Sequence, residues 1–269
     1  MRLRIAHSLI YRYEPAATGF IRILRMTPSS HGGQYVAEWQ IGISTDGRLH
    51  RHQDAFGNIT HVLSENAIAE LTITAEGLVE THDTGGVLHG TDERFPPSLF
   101  LRATPLTEVN TAMTVFSREL RSESESDVLG FLRALMLEIN DHMTFDEDPT
   151  HSGTSAAEAF ALKRGVCHDY AHVFIACARS VGIPARFISG HFLRSDGVVH
   201  PQAGHAWAEA FVPDLGWVAF DPANAICATD AHARLAVGLD YLGAAPVRGT
   251  HYGAGAEALT VKVKVDRVG

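Results

Sequence analysis

Cysteine is scarce in this chain, with only Cys167, Cys177 and Cys227 in 269 residues. They include no C-x-x-C pair, and an odd, scattered set excludes a disulfide framework and a zinc knuckle. Reduced thiols are expected. Clusters of Lys and Arg are missing too: 22 basic residues stand against 31 acidic ones, for a formal net charge of -9. Nucleic acids and anionic membranes are bound largely through basic patches, so neither is expected as a partner. No unbroken apolar block opens the chain, because MRLRIAHSLIYRYEP alternates, which argues against a signal peptide or membrane anchor. A cytoplasmic location is the expectation. Internal repeats and low-complexity tracts are also absent. What remains is 45 % hydrophobic and 20 % charged, the composition of a globular enzyme.

The pattern divides the chain in two. Leu3, Ile5, Leu9, Tyr11 and Tyr13 share one parity while Arg2, Arg4, Ser8 and Arg12 take the other, which predicts a half-buried strand. QYVAEWQIGI, HRHQDAF, NITHVLS and AIAELTITAEGLV read as further strands, separated by turn signals such as Asp46-Gly47 and Gly57-Asn58. Residues 1–90 are therefore expected to be a small antiparallel β domain, with THDTGGVLHGTDERFPPS as the boundary. Helices follow. Thr107 is placed to cap one, Ser126 or Asp127 a second over LGFLRALMLEIN, and Ser155 or Thr154 a third, with Glu158 at capping-box distance from Ser155. RFISGHFL, HAWAEAFV, GWVAF and ALTVKVKVDRV are strand-like. Helices first and sheet afterwards make residues 91–269 an α+β domain rather than a βαβ repeat.

The chemistry concentrates in GVCHDYAHVFIACARSVGIPAR, residues 165–186. Gly165 ends one helix, and apolar stripes through Ala171, Phe174, Ile175 and Ala178 and through Tyr170, Val173, Cys177 and Val181 predict a mostly buried one after it. Gly182 and Pro184 mark its end. Cys167 thus falls on its first turn, where unpaired N–H groups and the positive end of the helix dipole favour a thiolate and can bind an oxyanion. A base is needed, and His205 opens a later strand while Asp221 ends the next. The two share a face of a hairpin only if its loop has an odd number of residues. A three-residue loop Pro213-Asp214-Leu215, pairing Val212 with Gly216, meets that condition and leaves His205 and Asp221 diagonal, about 7 to 8 Å apart. Cys167 as nucleophile, His205 as base and Asp221 as its orienting acid then form a possible triad.

GVCHDYAHVF, GIPARFISGH and GHAWAEAFVPDLGWVAFDPAN together resemble the bacterial transglutaminase-like cysteine enzymes. The resemblance spans residues 100 to 260 or so and includes VGLDY and PVRG, while the opening β region resembles the amino-terminal domain often joined to this core. It implies a papain-like core of helices packed on an antiparallel sheet, with a thioester formed on Cys167, His205 as general base and acid, and Asp221 as orienting acid. Animal transglutaminases add an upstream Trp near the oxyanion. This chain has no Trp between Trp39 and Trp207, so the second oxyanion donor is unassigned. Their calcium is not carried over: Asp146-Glu147-Asp148 has His151 where a calcium loop needs glycine and Ala157 where it needs glutamate.

The expected reaction is thiol-dependent hydrolysis of a peptide or amide bond in a peptide or protein substrate, without cofactor or metal. Acyl transfer to an amine is the alternative, since it shares the acyl-enzyme. A zinc hydrolase is a rival class because His168 and His172 stand four apart on a helix, but Asp169 follows His168 where the zinc motif has glutamate and no further ligand is suggested. A non-catalytic scaffold is a third, although binding alone does not require all three triad residues. Trp207, Trp217, Cys177 and Cys227 read as structural; Arg186 reads as a structural ion-pair partner ahead of a binder of an acidic group, and Glu209, on the strand parity of His205, reads equally as support for the site or as a salt-bridge partner.

Overall fold

The structure, a computed structural model, describes residues 1–124, 127–194, 204–254 and 256–269. In chain order it contains β1 (Arg2–Thr27), β2 (Gln34–Ile43), β3 (His50–Gln53), β4 (Ile59–Thr81), a 3-10 turn (Pro97–Leu101), α1 (Thr111–Glu123), α2 (Val128–His142), β5 (Thr144–Phe145), α3 (Ala156–Leu162), β6 (Arg164–Gly165), α4 (Cys167–Ser180), β7 (Ala185–Phe192), β8 (His205–Val212), β9 (Gly216–Asp221), β10 (Ile226–Cys227), β11 (His232–Gly238), α5 (Tyr241–Ala244), β12 (Val247–Tyr252) and β13 (Ala256–Arg267). Among the described residues no helix is long and apolar enough to cross a membrane.

The first sheet runs β12-β1-β4-β2, with β13 also on β1 and β3 on β4. The alternation of its first strand is realised, since Leu3, Ile5, Leu9, Tyr11 and Tyr13 are all buried. NITHVLS and AIAELTITAEGLV are one strand rather than two. β4 passes the intervening polar residues without a turn because β1 follows it along most of its length, with irregularities between Arg12 and Ala17 and between Leu24 and Thr27. Alternation identifies a strand but not its partner: the closing β12 and β13, which stand last in sequence order, pair with β1 in this first sheet. The Gly-rich segment after β4 is no free linker either. Val87 bridges Val218, and Leu88 and Gly86 exchange backbone hydrogen bonds with Trp217 and Ala219.

The second sheet is antiparallel, in the order β10-β9-β8-β7-β11. Against it packs α4, buried from Asp169 to Arg179, with Phe174 stacked on Phe220 at 5.3 Å between ring centroids. Residues from α1, α2 and α3 complete this core. A helix that is apolar nearly all round is stable only inside such a shell. The caps differ in detail from the sequence expectation. Asn110, not Thr107, caps α1, because the Thr107 hydroxyl is engaged by Thr104 N–H and Arg179. Asp127 caps α2, and Ser126 lies outside the described residues. Ser155 and Glu158 form the expected capping box on α3. That helix ends on left-handed Lys163 (φ 54°), so Gly165 is not its terminator.

Two pairs of side-chain amide bonds join the sheets. Gln34 donates to Arg234 O (2.9 Å) and accepts from Arg234 N (2.7 Å), and Asn58 does the same with Val237 (2.7 and 2.8 Å). Both grip β11. Side-chain amides that match a backbone donor and acceptor at once fix position as well as contributing binding energy.

Candidate active site

Gly165 occupies β6, which pairs with β5, and the chain turns from there straight into α4. Asp169, three residues into the turn, accepts from Val166 N–H (2.8 Å) and from the Thr150 hydroxyl (2.7 Å). A helix N-terminus has N–H groups to satisfy, and an acidic residue in the first turn also suits the helix dipole. Cys167 is therefore held on the first turn of a buried helix, itself only partly covered. The other two thiols stand apart from it: Cys177 is wholly buried, which pushes its thiol up to about 12, and Cys227 lies on β10.

The hairpin has the odd loop. Val212 pairs with Gly216, and left-handed Asp214 (φ 67°) and Gly216 (φ 82°) turn the chain. His205 and Asp221 consequently share a face, with His205 Nε2 2.6 Å from Asp221 Oδ2. Cys167 lies near enough to the same imidazole to favour its charged form. With Nε2 on the carboxylate, Nδ1 is the ring nitrogen left for the thiol. The three residues singled out in the sequence are brought together. Burial disfavours a charged His205, but the Asp221 charge and hydrogen bond, with a further contribution from Cys167, outweigh it and raise its pKa to about 10. Burial also opposes the Asp221 anion, yet His205 and His232 hold its carboxyl well below the usual carboxylate range.

Two partners of Asp221 escaped the sequence reading. His232 Nε2 lies 3.1 Å from Oδ2, and the Asn224 amide donates to Oδ2 at 2.7 Å. Asn224 follows the Asp-Pro step and was within reach of inspection. His232 starts β11, whose place beside β7 no local pattern announces. Trp207 is buried and stands edge-on to His232 at 5.3 Å, a packing role as expected. Gly190, opposite His205, leaves room for that indole: a Cβ there would come within 2.4 Å of it.

The remaining candidates are used structurally. His172 Nε2 accepts the backbone N–H of Tyr241 at 3.0 Å, and His168 faces the Tyr241 ring at 5.3 Å. Arg186 is sandwiched between Glu93 and Glu209, with its guanidinium 3.9 Å from the centre of the Trp217 ring. Glu209 also takes Arg234.

An antiparallel sheet on a buried helix, with thiol, imidazole and carboxylate gathered at one end, is the arrangement of the papain-like folds. Residues 115–222 match the family model of the transglutaminase-like superfamily, and residues 3–80 that of the bacterial transglutaminase-like N-terminal region. The chain thus carries a transglutaminase-like core preceded by a bacterial transglutaminase-like N-terminal region. An uncharacterized protein of Mycobacterium leprae is 29 % identical over 286 residues, covering 99 % of both chains. A protein-glutamine gamma-glutamyltransferase of Pseudomonas aeruginosa is 28 % identical over 122 residues, 42 % of this chain and 18 % of that one. Among solved structures, a Cytophaga hutchinsonii protein described provisionally as a cysteine protease superposes with a TM-score of 0.78 at 18 % identity, covering 100 % of this chain and 92 % of that one. At that identity the likeness concerns the fold.

Proposed function

We propose that the protein hydrolyses an amide bond in a peptide or protein through an acyl-enzyme on Cys167. What supports this reading is one imidazole, His205, bonded to Asp221 and lying near enough to a thiol at a helix N-terminus for that thiol to favour its charged form. His205 takes the thiol proton, and the sulfur attacks the amide carbon, forming a C–S bond and placing negative charge on the carbonyl oxygen. First-turn N–H groups of α4 face that charge. Collapse breaks the C–N bond as His205 returns the proton to the leaving amine, leaving a thioester. Water, giving its proton to His205, then attacks the thioester carbon; the C–S bond breaks, and the acid product and free thiol are restored. An amine in place of water yields acyl transfer by the same steps.

Iodoacetamide at neutral pH is expected to label Cys167 well ahead of Cys177 and Cys227; slow, equal labelling of all three overturns the activated thiol. Mass spectrometry of a peptide mixture incubated with enzyme and a primary amine distinguishes cleavage from amine incorporation. Activity that survives Cys167→Ala but disappears with a chelator would replace this reading with a zinc hydrolase.

A further inference from the structure

Asp221 Oδ2 receives two imidazoles, but the reaction above uses only His205. The second, His232, is buried. Its two nitrogens are both committed: Nδ1 accepts the backbone N–H of Thr229 at 3.1 Å, and Nε2 meets Asp221 Oδ2 at 3.1 Å. A nitrogen that accepts from a backbone amide is unprotonated, so the proton of the neutral ring is on Nε2 and points at the carboxylate.

We infer that His232 is a positioning residue for the proposed triad: as a neutral Nε2–H imidazole it pins the Asp221 carboxylate so that Oδ2 stays in line with His205. The inference rests on the catalytic reading of Cys167, His205 and Asp221. Burial outweighs the attraction of Asp221 and lowers the His232 pKa, which keeps the ring neutral beside the His205 imidazolium. The charged groups facing it are Asp221 from β9 and His205 from β8, while the nearby Arg234 is turned to Glu209. From β7, Phe192 lies over the ring at 4.4 Å. Gln34 and Asn58 clamp β11 just beyond it, so the amino-terminal sheet holds the strand that holds His232. Through that strand the β domain reaches the proposed triad.

His205, Asp221 and His232 also have ligand atoms within 4.8 Å of one another, a spacing that a metal ion can bridge. The protonation pattern argues against it. A His232 whose Nε2 carries the proton has no lone pair for a metal there, and 2.6 Å between His205 Nε2 and Asp221 Oδ2 is a hydrogen-bond distance. The cavity beside His232 measures about 40 Å³, room for a water or two and no substrate group.

The test uses the full chain and the alkylation of Cys167 by iodoacetamide as a function of pH, because the thiol's reactivity depends on a correctly held imidazole. His232→Phe removes the donor and keeps a ring in place. Its rate at pH 6 is expected to fall about tenfold, the size of one hydrogen bond to a charged group, with the acid limb moved to higher pH. His232→Gln returns a donor near the Nε2 position and is expected to bring the rate back to within about threefold of wild type, the residue of an imperfect geometry. A merely structural residue would lower the unfolding temperature of both variants without moving the limb, and that result overturns the inference. Nitrogen-15 spectra of the wild-type histidines supply a measurement that needs no variant: His232 should show a protonated Nε2 and a bare Nδ1 from pH 6 to 8. The opposite tautomer, or a doubly protonated ring, overturns it. So does stoichiometric Zn²⁺ binding to Cys167→Ala that His232→Gln abolishes. If Cys167 of the wild type is itself no more reactive than Cys177 and Cys227, the catalytic reading fails; if it is reactive and His232→Phe matches it, only this inference does.

Discussion

Gly165 leaves the space that the Asp169 side chain fills: a Cβ at residue 165 would lie 2.6 Å from Asp169 Oδ2 and 2.8 Å from its Cβ. Asp169 cannot yield, because it is buried and tied to Val166 and Thr150. Gly165→Ala is therefore expected to cost about 1–3 kcal/mol by overpacking. It should also slow Cys167 alkylation, because the displaced carboxylate anchors the first turn of α4. Thermal unfolding and iodoacetamide kinetics check the two effects, and a variant with wild-type values in both would refute the steric account.

Glu209 is buried between Arg186 and Arg234, at 2.6 and 2.7 Å. Burial raises its pKa, but the two guanidinium groups outweigh this and hold it at about 2. A depressed carboxylate pKa contributes stability that is present above the unfolded-state value and lost as pH falls through the folded one. Urea denaturation should show that contribution fading between pH 4.5 and about 2 in the wild type. Glu209→Gln should lower stability by about 3 kcal/mol at pH 7, since it takes the carboxylate from the half-buried Arg234 and leaves the buried Arg186 with Glu93 alone.

His205 behaves in the opposite sense. Its folded pKa, about 10 against an ordinary 6.5, means that the pairing with Asp221 stabilises the fold fully below pH 6.5 and is lost as pH rises through about 10. Turnover of an amide substrate should fall in the same alkaline range, where the ring no longer carries the proton for the leaving amine. A pH–rate profile with its upper limb near 7 would contradict this.

Asp221→Asn removes the charge that raises His205 above its ordinary pKa. The ring should then titrate far below 10, because burial alone lowers it, and turnover should fall by about 10² to 10⁴-fold with the chain still folded. Histidine titration by NMR and turnover measured on one sample decide the matter.

Much of the site was legible in the sequence because its determinants are local. The Cys167 position follows from helix periodicity and a glycine break, and the shared face of His205 and Asp221 follows from strand parity plus a three-residue loop. Parity carries across a tight hairpin because side chains alternate strictly. The same reasoning misplaced the α1 cap: the sequence does not show that Arg179, 72 residues beyond Thr107, already claims the Thr107 hydroxyl. It also read two strands in β4, since the polar residues at its middle look like a break until β1 is laid beside them.

By itself the sequence determined most of the segments, the class of fold and the order of Cys167, His205 and Asp221 as candidates for a site, all consequences of periodicity and short spacing. Only the tertiary structure decided that β12 and β13 return to β1, that Gln34 and Asn58 grip β11, and that His232 joins His205 on one oxygen of Asp221. Those contacts join residues far apart in the chain, and their specificity comes from buried hydrogen-bond groups finding partners once the two sheets have packed, which no local pattern encodes.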